Sequence, residues 1–414
     1  MLYFHTKQEY FGDVDHKVEF ELIYHSWDKM NLKEQILCLY NANVIHAKVC
    51  RLWKDIGINM QERIYVCHTF YHVYITFLKE LALPKEQRGK ATLVLSKMSN
   101  RFEDLKARVE NLHFFEEVFE YDEKREDFFP ELAKYKKNHH NILINMFYRI
   151  IFTRKFAKCQ AAFVPVNFKE YKEVYVYCDA DPIGVYLNMN HIYYHALEDG
   201  LDCLKTLDGA RVTNRGHFEL KAKLAAMNLI FIENGYSKYC LDMEVNNRSV
   251  IKYDFKKYKE VPRDPLYRRL TNEDKEILLK AFVRNKEEIE ARIQEAKQGK
   301  RAVLILSDPL CDLVTRKKIM EDLLNEYGRD ATVFIKPHPR DVLDYRKEFP
   351  QCPQFDPTVP MEILNLFEGI HFNQVISVYT ELSAIDFADE KIRLEHDFMD
   401  KYEAPEVHRH NEKI

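Results

Sequence analysis

Short β-branched runs, each followed by a segment of helical character, set the narrowest limit on what this chain can fold into. They stand at 63–67 (RIYVC), 91–96 (ATLVLS), 173–178 (EVYVYC), 192–197, 229–233 (LIFIE), 302–307 (AVLILS), 331–336 (ATVFIK) and 374–379 (QVISVY). Continuous apolar strands alternating with helices belong to parallel sheets covered on both faces. The charged helical stretch 271–300 separates two such groups. The reading is α/β, with two domains of about 61–265 and 266–390. Open parallel sheets hold ligands at the carboxyl ends of their strands, which puts the site in the cleft between the domains. Residues 1–60 read as an N-terminal extension with a helix near 31–55, and 391–414 as a tail.

Glycine narrows the choice further. There are eleven in 414 residues, and no two lie within six positions of each other. The usual share is about 7%. The chain therefore has no G-x-G-x-x-G fingerprint and no P-loop, and a Rossmann dehydrogenase, a P-loop NTPase and a protein kinase are excluded as usually built. A formal charge of −4 gives no global pull toward nucleic acid. The apolar runs are too short for a transmembrane helix, and the N-terminus lacks the pattern of a signal peptide. Nine scattered cysteines without a C-x-x-C point to reduced thiols in a cytosolic protein and to no zinc site.

Residues 132–169 carry eight Lys or Arg and no Asp or Glu, interleaved with aromatic and aliphatic side chains. A basic amphipathic segment of this kind suits peripheral contact with an anionic membrane face. A solvated helix packed by its apolar side is the plainer alternative.

Three groups carry chemistry. Lys336-Pro337-His338-Pro339-Arg340 follows an apolar strand, and its two prolines stiffen a turn that holds three potential cations, which suits a phosphate. His338 is also the side chain best placed to give a proton near neutral pH. Glu198-Asp199-Gly200 follows the strand at 192–197. Adjacent carboxylates there can supply a general base, and Gly200 permits close approach of a ligand or a sharp turn. Ser377, Thr380 and Ser383 lie at the last strand's end and the expected start of the next helix, a place for phosphate or for a cap. His68 and His72, with Thr69 between, are four apart on an expected helix face. The Glu of H-E-x-x-H is missing, so structural or acceptor-site roles are favoured over metal. The helix at 68–83 and the 31–55 stretch are candidates for pairing subunits in a homodimer.

From about 63 to 388 the chain resembles the bacterial lipooligosaccharide sialyltransferases of glycosyltransferase family 52. RIYVCHTFYHVYI (63–75) is similar to the family's opening strand and helix. YCDADPIGVYLN (177–188) with LEDGLD (197–202) resembles its acidic region, and SKYCLDMEVN (237–246) and VPRDPLYRRL (261–270) its middle. LILSDPLCD (304–312), IKPHPRDVLDY (335–345) and VPMEILNLF (359–367) resemble its Pro-Leu loop, His-Pro motif and following helix.

The resemblance implies two Rossmann-like domains of the GT-B type, an N-terminal acceptor domain and a C-terminal donor domain. It also implies inverting transfer from CMP-sialic acid to a glycan, without metal or other cofactor. Asp199 or Glu198 takes the role of base, and His338 protonates or hydrogen-bonds the leaving phosphate. In some members the base lies upstream of His-Pro, where Asp308 and Asp312 stand here. The family's pair of adjacent hydroxyls for phosphate is here Thr380-Glu381, and a carboxylate beside a phosphate is repulsive, so either Ser377 or Ser383 substitutes or the donor differs. The alternatives are a hexosyl or CDP-polyol phosphate donor, or a non-catalytic partner in glycan assembly.

The chemistry is coherent with that resemblance. Glycosyl transfer passes through an oxocarbenium-like state, as glycoside hydrolysis does. A metal-free site must neutralise the leaving phosphate with Lys336, a protonated His338, Arg340 and helix N-termini. Gly200 is then the glycine least expected to tolerate a side chain.

Overall fold

The computed structural model describes residues 60–98, 101–297 and 300–409. The chain divides into two compact units, Met1–Met60 and Gln61–Ile414. The helix predicted at 31–55 lies outside the described residues. Every element below belongs to the second unit.

Seven parallel strands form the first sheet in the order β3-β2-β1-β4-β5-β6-β7. They are β1 (Gln61–Cys67), β2 (Ala91–Ser96), β3 (Glu117–Tyr121), β4 (Tyr171–Tyr177), β5 (Tyr194–Leu197), β6 (Cys240–Val245) and β7 (Tyr258–Glu260). A second, four-stranded parallel sheet has the order β11-β10-β8-β9. Its members are β8 (Arg301–Leu306), β9 (Ala331–Lys336), β10 (Phe372–Ser377) and β11 (Ala388–Arg393). This is the expected α/β class with two parallel sheets.

Helices α1 (Phe70–Leu81), α2 (Leu105–Asn111), α3 (Ile142–Gln160), α4 (Pro182–Met189), α5 (Asn272–Phe282), α6 (Lys286–Lys297) and α7 (Leu313–Tyr327) provide most of the cover. One apolar core joins the sheets. Val73 and Phe77 of α1 and Leu278 and Phe282 of α5 belong to the same cluster as Leu93 of β2 and Leu304 and Phe372 of the second sheet. Each sheet has a separate core on its other face. Burying a side chain such as Leu or Phe contributes roughly 1.5–3 kcal/mol, so α1 is committed to this interior. Ten of its twelve residues are buried, which removes it as a subunit-pairing surface.

Seven of the eight predicted runs are strands. The exception is 229–233. It carries no ladder, and its backbone is held by side chains instead. The Ser237 hydroxyl accepts from Ile232 N–H (2.9 Å) and donates to Ile232 C=O (2.7 Å), and Arg149 donates to Phe231 C=O (3.0 Å). Ile230 and Ile232 are fully buried against Ala210, Ala225 and Tyr236. An apolar run in a small satellite core has the composition of a strand without its hydrogen bonds. A second difference lies after β10: no helix follows it, and 378–387 is irregular.

Helix α3 occupies the middle of the basic segment. Its C-terminal half packs Phe156 and Ala157 against Phe129, Val185 and Phe231. Its first turns leave Leu143 (75%) and Phe147 (61%) exposed, beside Ile142 and Ile144. No described helix is long and apolar enough to cross a membrane.

Candidate active site

In the first sheet the strand order reverses between β1 and β4, and ligands of such sheets sit beyond the carboxyl ends at that point. His68 leaves β1 there. It is not on α1: the helix begins at Phe70, and the Thr69 side chain caps it by accepting from His72 N–H at 3.1 Å. His68 Nε2 donates to Glu123 Oε1 at 2.6 Å and lies 3.4 Å from Asp181 Oδ2. Burial alone drives its pKa down, but Glu123, then Asp181 and Asp199, reverse this and lift it to about 9. Glu123 also accepts from Ser96 Oγ (2.6 Å) and Ile183 N–H (2.9 Å). One carboxylate thus ties together the ends of β1 and β2 and the start of α4. His68, Glu123 and Asp181 offer ligand atoms within 4.8 Å of one another, a grouping that sequence spacing hid because the three come from different loops.

His72 is fully buried and stacks on Tyr177 at 4.5 Å. Its Nδ1 accepts from His68 N–H at 3.0 Å. The proton therefore sits on Nε2, which donates to Asp199, at 2.7 Å to C=O and 3.1 Å to Oδ1. Burial pushes the Asp199 pKa up. The hydrogen bond from His72, then the charges of Arg340 and His68, outweigh it and hold the carboxyl at about 2. The adjacent Glu198 is different. It is buried, accepts from Asn246 N–H at 2.7 Å, and is raised by burial to about 7 against the Arg263 charge. Of the two, Asp199 has the half-open carboxylate. His68, Thr69 and His72, expected at the acceptor, are engaged in building this wall.

Gly200 is roomy. A Cβ there meets only Cys203 Cβ, at 3.9 Å. Among the described residues the demanding glycines are Gly184, whose Cβ falls on Asp179 C=O, Gly89, with φ +68° and a Cβ on Phe114 C=O, and Gly328, whose Cβ falls 2.5 Å from Leu324 C=O. The expectation that Gly200 would be the strictest is therefore corrected.

The second sheet reverses between β8 and β10. The turn after β9 is fixed from below. Asp341, its side chain fully buried, pairs with Arg316 (2.5 Å) and accepts from Ser307 Oγ (2.8 Å) and Tyr345 Oη (2.7 Å). Ser307 Oγ in turn accepts from His338 N–H at 3.0 Å. His338 Nδ1 accepts from Arg340 N–H at 3.1 Å, which leaves the proton on Nε2. Burial, then the charges of Arg340 and Lys336, lower its pKa to about 4, so it is a neutral N–H donor rather than the expected cation. Lys336 faces inward. It donates to the carbonyls of Pro337 (3.1 Å) and Pro357 (3.0 Å), and burial lowers it to about 8 against Asp356 and Glu362. Arg340 and Pro339 are exposed.

The loop after β10 is occupied by carboxylates. Asp308 accepts from Val378 N–H (3.2 Å), Tyr379 N–H (3.1 Å) and Thr380 Oγ1 (2.8 Å), and burial raises its pKa. It closes the β8–β10 crevice as a clamp. Ser377 Oγ donates to Thr380 C=O at 2.7 Å. Glu381 Oε1 accepts from Leu382 and Ser383 N–H, both at 3.1 Å, and Oε2 from Arg393 at 2.8 Å. Asp312 caps α7, accepting from Val314 and Thr315.

The two carboxyl ends meet. Arg340 lowers the Asp199 pKa and Asp199 raises that of His338, so the two predicted motifs lie in electrostatic reach. Arg393 donates to Thr206 Oγ1 at 3.3 Å, and Lys205 lies 3.5 Å from Glu395. Residues 115–400 match the model of Glycosyltransferase family 52. The chain belongs to glycosyltransferase family 52.

This family-52 chain is 32% identical over 94 residues to an uncharacterized protein of Haemophilus influenzae, a match covering 22% of this chain and 30% of that protein's length. It is similar in structure to the α/β-galactoside α-2,3-sialyltransferase of Photobacterium phosphoreum, at 11% identity and a TM-score of 0.47, over 81% of this chain and 90% of that one. A Photobacterium 2,6-sialyltransferase, solved with the donor product CMP and the acceptor lactose, gives 9%, 0.49, 85% and 77%. Sequence reasoning missed Glu123, Asp181, Asp341 and Arg393 in the site of this family-52 protein. Each is a single charged residue, and the motif that each supports is remote or ordinary in sequence.

Proposed function

We propose that the protein is an inverting sialyltransferase that moves sialic acid from CMP-sialic acid to the terminal sugar of a bacterial surface glycan, lipooligosaccharide or capsule. The observation that carries this reading is Asp199, half-open at its sheet's carboxyl end and within electrostatic reach of the His338–Arg340 turn, in a family-52 chain. Asp199 is ionised at any working pH and accepts the proton of the acceptor hydroxyl. The hydroxyl oxygen bonds to the anomeric carbon from the face opposite the phosphate. The bond from that carbon to the phosphate oxygen breaks, and CMP leaves with the electron pair. The His338 Nε2–H donates to the departing oxygen and the Arg340 guanidinium offsets its charge, roles usually filled by preorganised donors. The reaction in this form uses no metal.

The acceptor's membrane setting suits α3. Leu143 and Phe147 are exposed within a segment whose sequence also carries Lys134, Lys136 and Lys137, a combination of apolar and basic side chains that interfacial segments use. This feature supports reading the protein as peripheral on the cytoplasmic membrane face. One observation favours a second reading: Glu381 already sits on the loop N–H groups that a donor phosphate needs. That points to another nucleotide sugar or polyol phosphate as donor, or to a non-catalytic partner. Titration calorimetry against CMP, CDP, UDP and GDP separates the readings. CMP alone supports sialyl transfer, another nucleotide redirects the donor, and no binding removes the enzymatic reading.

A further inference from the structure

The Arg393 side chain is only 14% exposed and reaches out from the end of β11 toward the opposite sheet. Its Nε donates to Tyr379 C=O at 3.1 Å, and its outer nitrogens meet Glu381 Oε2 (2.8 Å), Glu395 Oε1 (3.2 Å) and Thr206 Oγ1 (3.3 Å). The Glu381 carboxylate is thus gripped by one guanidinium and two backbone N–H groups. That donor set, planar and fully charged on one side and dipolar on the other, is how proteins hold phosphates and carboxylates. We propose that Leu382 N–H, Ser383 N–H and Arg393 are an oxyanion seat for the donor nucleotide, with Glu381 as its resident occupant. The donor's phosphate takes the seat by displacing Glu381, which makes Glu381 the residue that sets donor affinity.

Two features support a displaceable occupant rather than a fixed strut. First, Glu381 binds the N–H groups of its own two successors, so it leaves by side-chain rotation without unfolding the loop. Asp308, by contrast, bridges from another strand and is the fixed clamp. Second, the seat lies against the other half of the molecule. Thr206 touches Arg393, and the Asp202 pKa is raised by burial first and then by the Glu381 charge. An anion bound there is therefore felt by the segment that begins at Asp199. The inference rests on the nucleotide-donor reading above, and the test separates their failures.

Calorimetric titration of CMP and of inorganic phosphate is run on the full chain, on Glu381→Gln and on Glu381→Ser. The first variant removes the charge at equal size and the second empties the seat. The expected result is CMP bound at least about tenfold tighter by both variants than by the parent. Arg393→Ala in the Glu381→Ser background abolishes the gain, and Arg393→Lys keeps part of it. Equal CMP affinity in parent and both variants overturns the seat while leaving the nucleotide reading intact. If no form binds CMP, the nucleotide reading falls and phosphate decides. Uptake of phosphate by Glu381→Ser alone upholds the seat, and no uptake overturns it.

Discussion

Replacing Glu123 with Gln tests how the site's wall is held. Three donors converge on this carboxylate: His68 Nε2 at 2.6 Å, Ser96 Oγ at 2.6 Å and Ile183 N–H at 2.9 Å. Glutamine has one acceptor oxygen, so at least one donor is left facing an NH2 group in a fully buried place. Breaking one side of a buried charged pair typically costs about 3–5 kcal/mol. The pH dependence is the sharper readout. His68 rises from 6.5 to about 9 on folding, and at about 1.4 kcal/mol per pH unit the protonated ring is worth on the order of 3 kcal/mol. A raised histidine contributes fully below its unfolded pKa of 6.5, and that contribution is lost as pH rises through about 9. Asp179, raised by burial to about 7, loses stability in the same direction, but its change is complete near 7. Lys336, lowered to about 8, acts with the opposite sign above that. The decisive quantity is therefore the difference between parent and variant. Urea unfolding at intervals from pH 6 to 9.5 should show the gap largest at pH 6 and shrinking toward pH 9.5. A gap that is absent, or constant across this range, refutes the assignment of a charged His68 held by Glu123.

Other perturbations give equally direct outcomes. Gly184→Ala forces a Cβ against Asp179 C=O and should cost about 1–3 kcal/mol, whereas Gly200→Ala should leave the melting temperature within a degree or two of the parent; thermal denaturation compares them. Asp341→Asn breaks the buried contact with Arg316; about 3 kcal/mol or more of stability is lost, and turnover falls with it because the His338 turn loses its floor. Asp312→Ala removes the α7 cap at about 1 kcal/mol; turnover within a few-fold of the parent is expected, and a thousandfold fall would move the base to Asp312. Leu143→Ser with Phe147→Ser should reduce sedimentation with anionic lipid vesicles several-fold, while leaving binding to neutral vesicles weak in both forms.

The central strands were legible because both faces are covered. ATLVLS and RIYVC have no exposed alternate positions in their cores, and composition alone marks them. Strands β3 (EVFEY), β7 (YKE) and β11 (ADEKIR) were not legible. They lie at the sheet margins, where one face or more meets solvent, so charge replaces the apolar signal. β6 (CLDMEV) hides for a similar reason, with acids among its apolar positions. The position of Asp199 and of the 336–340 turn at strand ends was readable from the runs before them. The direction of Lys336 was not, because whether a lysine at a strand's end turns inward depends on a carbonyl 21 residues away, that of Pro357. The protonation of His338 likewise depended on burial and on two neighbouring cations. Thr380-Glu381 announced a departure in sequence, and only the fold shows its partner to be Arg393.

The most direct test of the account is transfer from CMP-sialic acid to a galactose-terminated acceptor by the parent, Asp199→Asn and His338→Ala, with CMP binding measured on each. The account predicts transfer by the parent. It also predicts that each variant folds, keeps CMP affinity within about tenfold and loses at least about a hundredfold in kcat, the scale of a lost general acid or base. Near-parent turnover by either variant, with CMP binding intact, contradicts it.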